Sequence, residues 1–401
     1  MNAVAAQSTL TPENPTSYAV GNFHKGEVRS DLSKQWIARP ADQRFLSLSD
    51  LHASVSARAE RTEEHRIMNK EVEFFAPDPK TKDDTNKLFV GLPGGNEIAP
   101  THWSFGQVAS LAQAPAGYLR KLPTQIVADA VNWGLRYNRG VERIKTYSTG
   151  DELLAATGPD YGRIFDREVV EAVQQIAGNG TGDFRWKVPG VLDWQTGRYD
   201  PEHPVTKDTT TLYASDRDVF IFLVDDRNPI EVGKLPNGDP DLIFRGFYIT
   251  NSEVGAGALK LAAFYLRGIC CNRLMWGVEG FEEISMRHSK YAPSRFVEEA
   301  RPALAGFAEG SATRLREGVE KAKAAKIAAS DEEALEWLSS RKFSRSRATA
   351  IMETVEKEEG RPARTAWDFA QGISAVARDI PHTDERVSFE NEARKILDRA
   401  A

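Results

Sequence analysis

Apolar and polar residues alternate in the middle of this chain and recur at helical spacing on either side of it. The two-residue period in FRWKV (184–188), TTTLYAS (209–215) and DVFIFLVDD (218–226) predicts strands. The longest apolar run follows, over Asp241–Gly277, and predicts a central hairpin. Residues 243–250 form its first strand. Asn251–Gly257 forms the turn, where Gly255 and Gly257 permit backbone angles that other residues avoid. Residues 258–276 read as a second buried strand passing into irregular or helical chain.

Helical spacing starts near Ser47, with Leu51, Val55 and Ala59 on one face. Residues 76–100 are broken by Pro77, Pro79, Pro93, Gly94 and Gly95 and read as loops around a short strand at Leu88–Val90. Ser104 is placed to cap the helix FGQVASLAQ, and Thr124 to cap TQIVADAVNWGLRYN. In the latter Ile126, Ala130, Trp133 and Tyr137 line one face with Val127, Val131 and Leu135 beside it, a stripe assigned to core packing. Strands are expected at 141–147, 152–156 and near 162–165, then a helix over Arg167–Ala177. Beyond Tyr291 the sequence turns to Ala, Glu, Lys and Arg and predicts helices, with breaks at Pro302 and Gly310, caps at Ser330 and Thr365, and a stop at Gly360. The fold class is therefore α+β. A mainly antiparallel sheet is backed by the helices of 104–138 and 167–177, and a helical C-terminal region follows. The expected divisions are a flexible arm over 1–45, an α+β core over 46–290 and the helical region over 291–401.

Composition narrows the setting. The 401 residues carry a formal net charge of −6, unevenly spread. Residues 1–150 hold 18 Lys and Arg against 16 Asp and Glu, 151–290 hold 15 against 22, and 291–401 hold 19 against 20. Attraction to a polyanion must therefore come from a local surface. The two cysteines, Cys270 and Cys271, are adjacent and form no disulfide framework, which fits a reducing cytoplasm. No apolar stretch reaches membrane-span length, and the N-terminus lacks the charged and apolar regions of a secretory leader.

Catalytic patterns are sparse. The chain has no CxxC, no paired histidines and no GxSxG. Asp225 and Asp226 end an apolar strand and, with Asp160, could hold Mg²⁺ for phosphoryl transfer, but neighbours on a strand point to opposite faces and the pair also suits a turn. No catalytic residue, metal ligand or cofactor is assigned. Between 118 and 147 the cations Arg120, Lys121, Arg136, Arg139, Arg143 and Lys145 interleave with Tyr118, Trp133, Tyr137 and Tyr147. Single-stranded nucleic acid needs this mixture, because cations take phosphates and rings take bases; a solvated face over core aromatics would read the same way. On the hairpin Arg245, Lys260, Arg267 and Arg273 would extend the track if they reach one open side of the sheet, and would be structural if paired internally.

Four segments occur in a recognisable order: SFGQVASLAQAPAGYLRKLP, LLAATGPDYGRIFDREVVEAV, FRGFYITNSEVGAGALKLAAFYLRGICCNRLMWG and TAWDFAQGISAVARDIPHTDERVSFENEARKIL. Together they resemble the phage/plasmid-like protein family, a domain-of-unknown-function group, over roughly 100–400. The resemblance implies a mobile-element context, and its pattern places a Cys and an Asn after the hairpin, here Cys271 and Asn272. The leading expectation is a non-enzymatic accessory that coats or anneals single-stranded DNA, as a homo-oligomer and away from membranes. A metal-dependent nuclease and a protein-binding anti-defence factor are the alternatives.

Overall fold

The computed structural model describes residues 41–77, 87–94, 97–138, 140, 142–182, 184–189, 205–235, 237–267, 284–307, 309, 313, 316–377, 380, 389 and 391–400, together with the backbone of residues 27–28, 37–38, 192–193, 198–199, 273–274, 283, 308, 314–315, 383–388 and 390. The expectations for the rest of 1–40, and for Arg139, Cys270, Cys271 and Asn272, lie outside the described residues.

Two sheets organise the chain. The smaller contains β1 (Glu63–Met68), β2 (Glu73–Phe75), β3 (Phe89–Gly91), β4 (Glu97–Pro100), β5 (Arg143–Ser148) and β6 (Glu152–Thr157), in the order β1-β5-β6-β4-β3-β2. Its pairs are antiparallel except β4 with β6. The larger contains β7 (Trp186–Lys187), β8 (Leu212–Ala214), β9 (Val219–Asp225), β10 (Ile230–Lys234), β11 (Pro240–Asn251), β12 (Leu259–Arg267), β13 (Arg273–Leu274) and β14 (Glu283–Met286). Its main path runs β13-β12-β11-β9-β8 and ends on the short strand Arg44–Phe45, and all its pairs are antiparallel. The sequence reading folded everything onto one sheet. Its helices over 104–138 instead cover the smaller sheet, and the expected strand near 162–165 is a loop carrying one bridge, Tyr161 to Ser289.

Helix placement follows capping and small-residue contacts. Ser47 caps α1 (Leu48–Glu60) through the Asp50 amide. Thr101, three residues before the expected cap, caps α2 (His102–Leu111), and Ser104 supplies the amide it binds. After the single turn α3 (Ala116–Leu119), α4 (Thr124–Tyr137) lies close to α2, because Gly134 has no side chain: a Cβ there would sit 2.4 Å from the Ala112 carbonyl. The face α4 buries is Thr124, Val127, Ala128, Val131, Gly134 and Leu135. Of the residues assigned to the core, Val127, Val131 and Leu135 are buried and Ala130 is half-buried against them, whereas Ile126, Trp133 and Tyr137 are exposed, so the assignment is reversed for those three.

The larger sheet packs one face on α1 and α5 (Asp166–Ala177). The same core takes in the segment formed by α6 (Ala292–Arg295), a π-turn at Phe296–Ala300 and α7 (Arg301–Glu309), through Phe296, Leu304 and Phe307. A separate core unites α8 (Thr313–Ala324), α9 (Asp331–Ser340), α10 (Arg345–Glu359), α11 (Ala366–Ala377) and α12 (Thr383–Ala400). Ser330 and Gly360 cap α9 and α10 as expected, the latter in the left-handed region. Ile230, Ile243 and Tyr265 of the large sheet join this helical core.

The β11–β12 turn joins the two sheets. Val254 packs with Tyr147, Leu154 and Ala155 of the smaller sheet, and its carbonyl accepts from the Trp103 indole at 3.0 Å and the Gln107 amide at 2.8 Å. Gly255 makes this seat available, with φ of +86° and Gln107 where a Cβ would be crowded at 3.2 Å.

Candidate functional site: a cationic cleft beside the sheet junction

β5 alternates faces. Ile144 enters the core under α2 and α4, so Arg143, Lys145 and Tyr147 stand on the opposite face, with Glu64 and Arg66 beside them on β1. The smaller sheet therefore separates Arg143 and Lys145 from the aromatics of α4, and the expected continuous surface over 118–147 is divided between two sides.

On the Lys145 side is a cleft of about 370 Å³, lined by Glu64, Arg66, Lys145, Asp160, Arg163 and Lys290 among others. Four cations face two carboxylates there. One wall is the GPDYGR loop, held against the segment after β14 by a very close backbone approach: the Gly162 amide donates to the His288 carbonyl at 3.2 Å, and a Cβ on Gly162 would overlap the Ser289 carbonyl. The Tyr161 ring stacks on His288 at 5.0 Å. Burial holds the His288 imidazole below its ordinary range, and Arg163 acts in the same direction, against the bond of Nδ1 to the Gly162 carbonyl.

Buried bonds fix the floor. Glu64 accepts from Arg163 Nε at 3.0 Å and lies 3.7 Å from Lys145 Nζ, which donates to the Tyr161 carbonyl at 2.6 Å. Arg163 also donates to the Glu253 carbonyl and lies 4.0 Å from the centre of the Tyr147 ring. Its Nη2 is buried without a hydrogen-bond partner among the described residues. Behind it Arg58 joins Asp166 at 2.6 Å and Glu253 at 3.0 Å, and Asn251 donates to Asp166 at 2.7 Å. Burial, then the nearby Glu253 charge, raises the Asp166 carboxyl well above its usual range. Burial pushes the Tyr147 phenol up to about 12, with Glu253 adding to the effect. At the rim Arg66 and Lys290 are exposed, and Lys290 lies 4.9 Å from the ring centre of Tyr291, itself 62% exposed.

The sequence-nominated cations have different fates. Lys145 lines the cleft, but it is buried on Tyr161 and Glu64. Arg143 and Lys121 are exposed, and Arg120 donates to the His102 carbonyl at 2.9 Å. Arg136 is exposed and pairs with Glu73 at 3.2 Å. Lys260 is exposed on β12, and the Arg273 side chain lies outside the described residues. Arg245 and Arg267 correct the expectation of a hairpin track. Arg245 is 3% exposed, donates to the Phe307 carbonyl and has its ring at 4.7 Å. Arg267 is 2% exposed and bound by Asp241 at 2.7 Å and by Glu359. Burial alone would weaken its charged form, but those two carboxylates outweigh burial and raise its pKa. Both arginines fasten β11 and β12 to neighbouring helices.

The carboxylates proposed for metal chemistry are also apart. Asp225 is bound by Arg185 at 2.6 Å and Asp226 by Lys187, both from the chain at β7, whereas Asp160 lines the cleft. Among the described residues no cluster of three or more His, Cys, Asp or Glu could hold a metal, and no helix is long and apolar enough to cross a membrane. Sequence reasoning missed Glu64, Arg66, Arg163 and Lys290. The alternation of Glu64 and Arg66 with His65 on a polar strand was the available signal, but nothing local tied it to Arg163.

One family model matches, over residues 154–377, with the description "Domain of unknown function (DUF932)". No curated protein and no solved structure matches the chain.

Proposed function

The chain belongs to the DUF932 family, its model covering more than half of the sequence, and from this premise we propose that it binds single-stranded nucleic acid through the cleft. The observation that carries the reading is the local excess of cations, Arg66, Lys145, Arg163 and Lys290 against Glu64 and Asp160, in an acidic chain. Arg163 and Lys145 are held rigidly by backbone carbonyls and Glu64, so little ordering remains to be done when a phosphate arrives. Arg66 and Lys290 offer exposed charge at the rim, and the Tyr291 ring offers a face on which a base can stack. The resemblance to phage/plasmid-like proteins supports placing this activity in a mobile element, as an accessory to replication or recombination.

Anisotropy of labelled single- and double-stranded oligonucleotides at two salt concentrations tests the reading. Single strands should bind more tightly than duplexes, and the log–log salt slope should be about −0.7 for each phosphate neutralised. Removing Arg66 and Lys290 together should weaken binding at every sequence and flatten that slope. Absence of binding at low salt overturns the proposal.

A further inference from the structure

The outer face of α4 takes no part in the cleft, which lies on the far side of the smaller sheet. Ile126, Ala130, Trp133 and Tyr137 fall within an arc of about 60° at helical spacing, Ala130 half-buried at its core-side edge and the other three exposed. Ile126 is 52%, Trp133 66% and Tyr137 63% exposed, and the two rings lie 4.4 Å apart. A stripe about 17 Å long, three of its four residues aromatic or branched, is left to solvent at a cost that a partner would remove.

We propose that this face binds a second copy of the chain, α4 against α4, antiparallel about a two-fold axis. The stripe is complementary to itself in that arrangement. Bringing Ile126 level with the copy's Tyr137 also brings Ala130 level with the copy's Trp133, so each indole covers the gap left by a small side chain. In an antiparallel two-fold pair the same flank of each helix meets its counterpart. Asp129 and Arg136, both exposed, share one flank seven residues apart. The register set by the apolar stripe leaves Asp129 within two residues, about 3 Å along the axis, of the copy's Arg136, twice over by symmetry. Within one chain Arg136 is held by Glu73, an exposed pair with side chains 46% and 65% accessible, and such pairs exchange at little cost.

Sedimentation equilibrium of the full chain over a dilution series tests the proposal. A reversible monomer–dimer equilibrium is expected, and Trp133→Asp should weaken it about thirtyfold or more, as a central aromatic contact does. Asp129→Arg alone and Arg136→Asp alone should each weaken it, and the two together should restore it. Circular dichroism confirms folding of each variant, which is expected because all three positions are exposed. A chain that stays monomeric at every concentration overturns the proposal. So does a dimer indifferent to Trp133→Asp, a double charge swap that fails to rescue, or a stripe whose loss abolishes oligonucleotide binding in a protein that was monomeric throughout.

Discussion

The hairpin and the cleft both collect arginine and lysine in strands of this chain, yet they use those charges in opposite ways. On β11 and β12, Arg245 and Arg267 lie under helices and are consumed by Phe307, Asp241 and Glu359. Beside β1 and β5, the buried cations Arg163 and Lys145 take carbonyls and one shared carboxylate, Glu64, and the exposed cations Arg66 and Lys290 stand at the rim. The difference lies in what covers the strand: α7 and α10 bring the Phe307 carbonyl and the Glu359 carboxylate onto the buried arginines, whereas the GPDYGR loop leaves an opening. Cation count along a sequence is therefore a poor guide to electrostatic surface. What covers each cation decides, together with the carbonyls and carboxylates that reach it.

The largest effect expected from this contrast is on stability. Arg267→Ala removes the guanidinium that joins Asp241 and Glu359, leaving Asp241 only Lys323 at 3.7 Å and Glu359 without the arginine it binds, and urea unfolding should show a loss of about 3 kcal/mol. If that variant is as stable as the parent, the hairpin arginines are not structural and the contrast fails. Next comes Gly162→Ala, which forces the loop off Ser289; a loss of about 1–3 kcal/mol is expected from overpacking, together with weaker oligonucleotide binding. Arg66→Ala reverses the pattern of Arg267→Ala. Its unfolding midpoint should move by less than about 0.5 kcal/mol while its binding salt slope falls by about 0.7. The smallest effect concerns pH. Because the folded protein favours neutral His288, that residue's contribution is complete above its ordinary value of 6.5 and is lost as pH falls below 6.5 through the lower folded value. Urea midpoints measured stepwise through this range should decline on acidification, and His288→Phe, which keeps a ring against Tyr161, should lessen the decline.

Much of the architecture could be read from periodicity. The hairpin, its Gly255 turn, the strand through Val219–Asp225, the Ser47 and Ser330 caps and the Gly360 stop all arise from local chemistry that the sequence displays directly. The faces of α4 could not be read so simply. That helix carries two apolar stripes at the same period, and only the small residues Ala128 and Gly134 distinguish the side that approaches α2. Size, not hydrophobicity, was the informative property. The division into two sheets was equally hidden, since strand alternation says nothing about which sheet a strand joins. The cleft suffered most, because Glu64, Lys145, Arg163 and Lys290 come from four separate stretches and meet only after the sheets dock.

The seat of the β11–β12 turn has a practical consequence for anyone trimming this protein. The family model matches from residue 154, inside β6, to 377, the last residue of α11. A fragment cut to those limits would keep Val254 but discard Trp103, Gln107 and Tyr147, on which it rests, and would strip Phe389, Ile396 and Leu397 from the last helical core. The borders of shared ancestry are thus not the borders of an autonomous folding unit, and expression of the matched stretch alone should yield an aggregating chain.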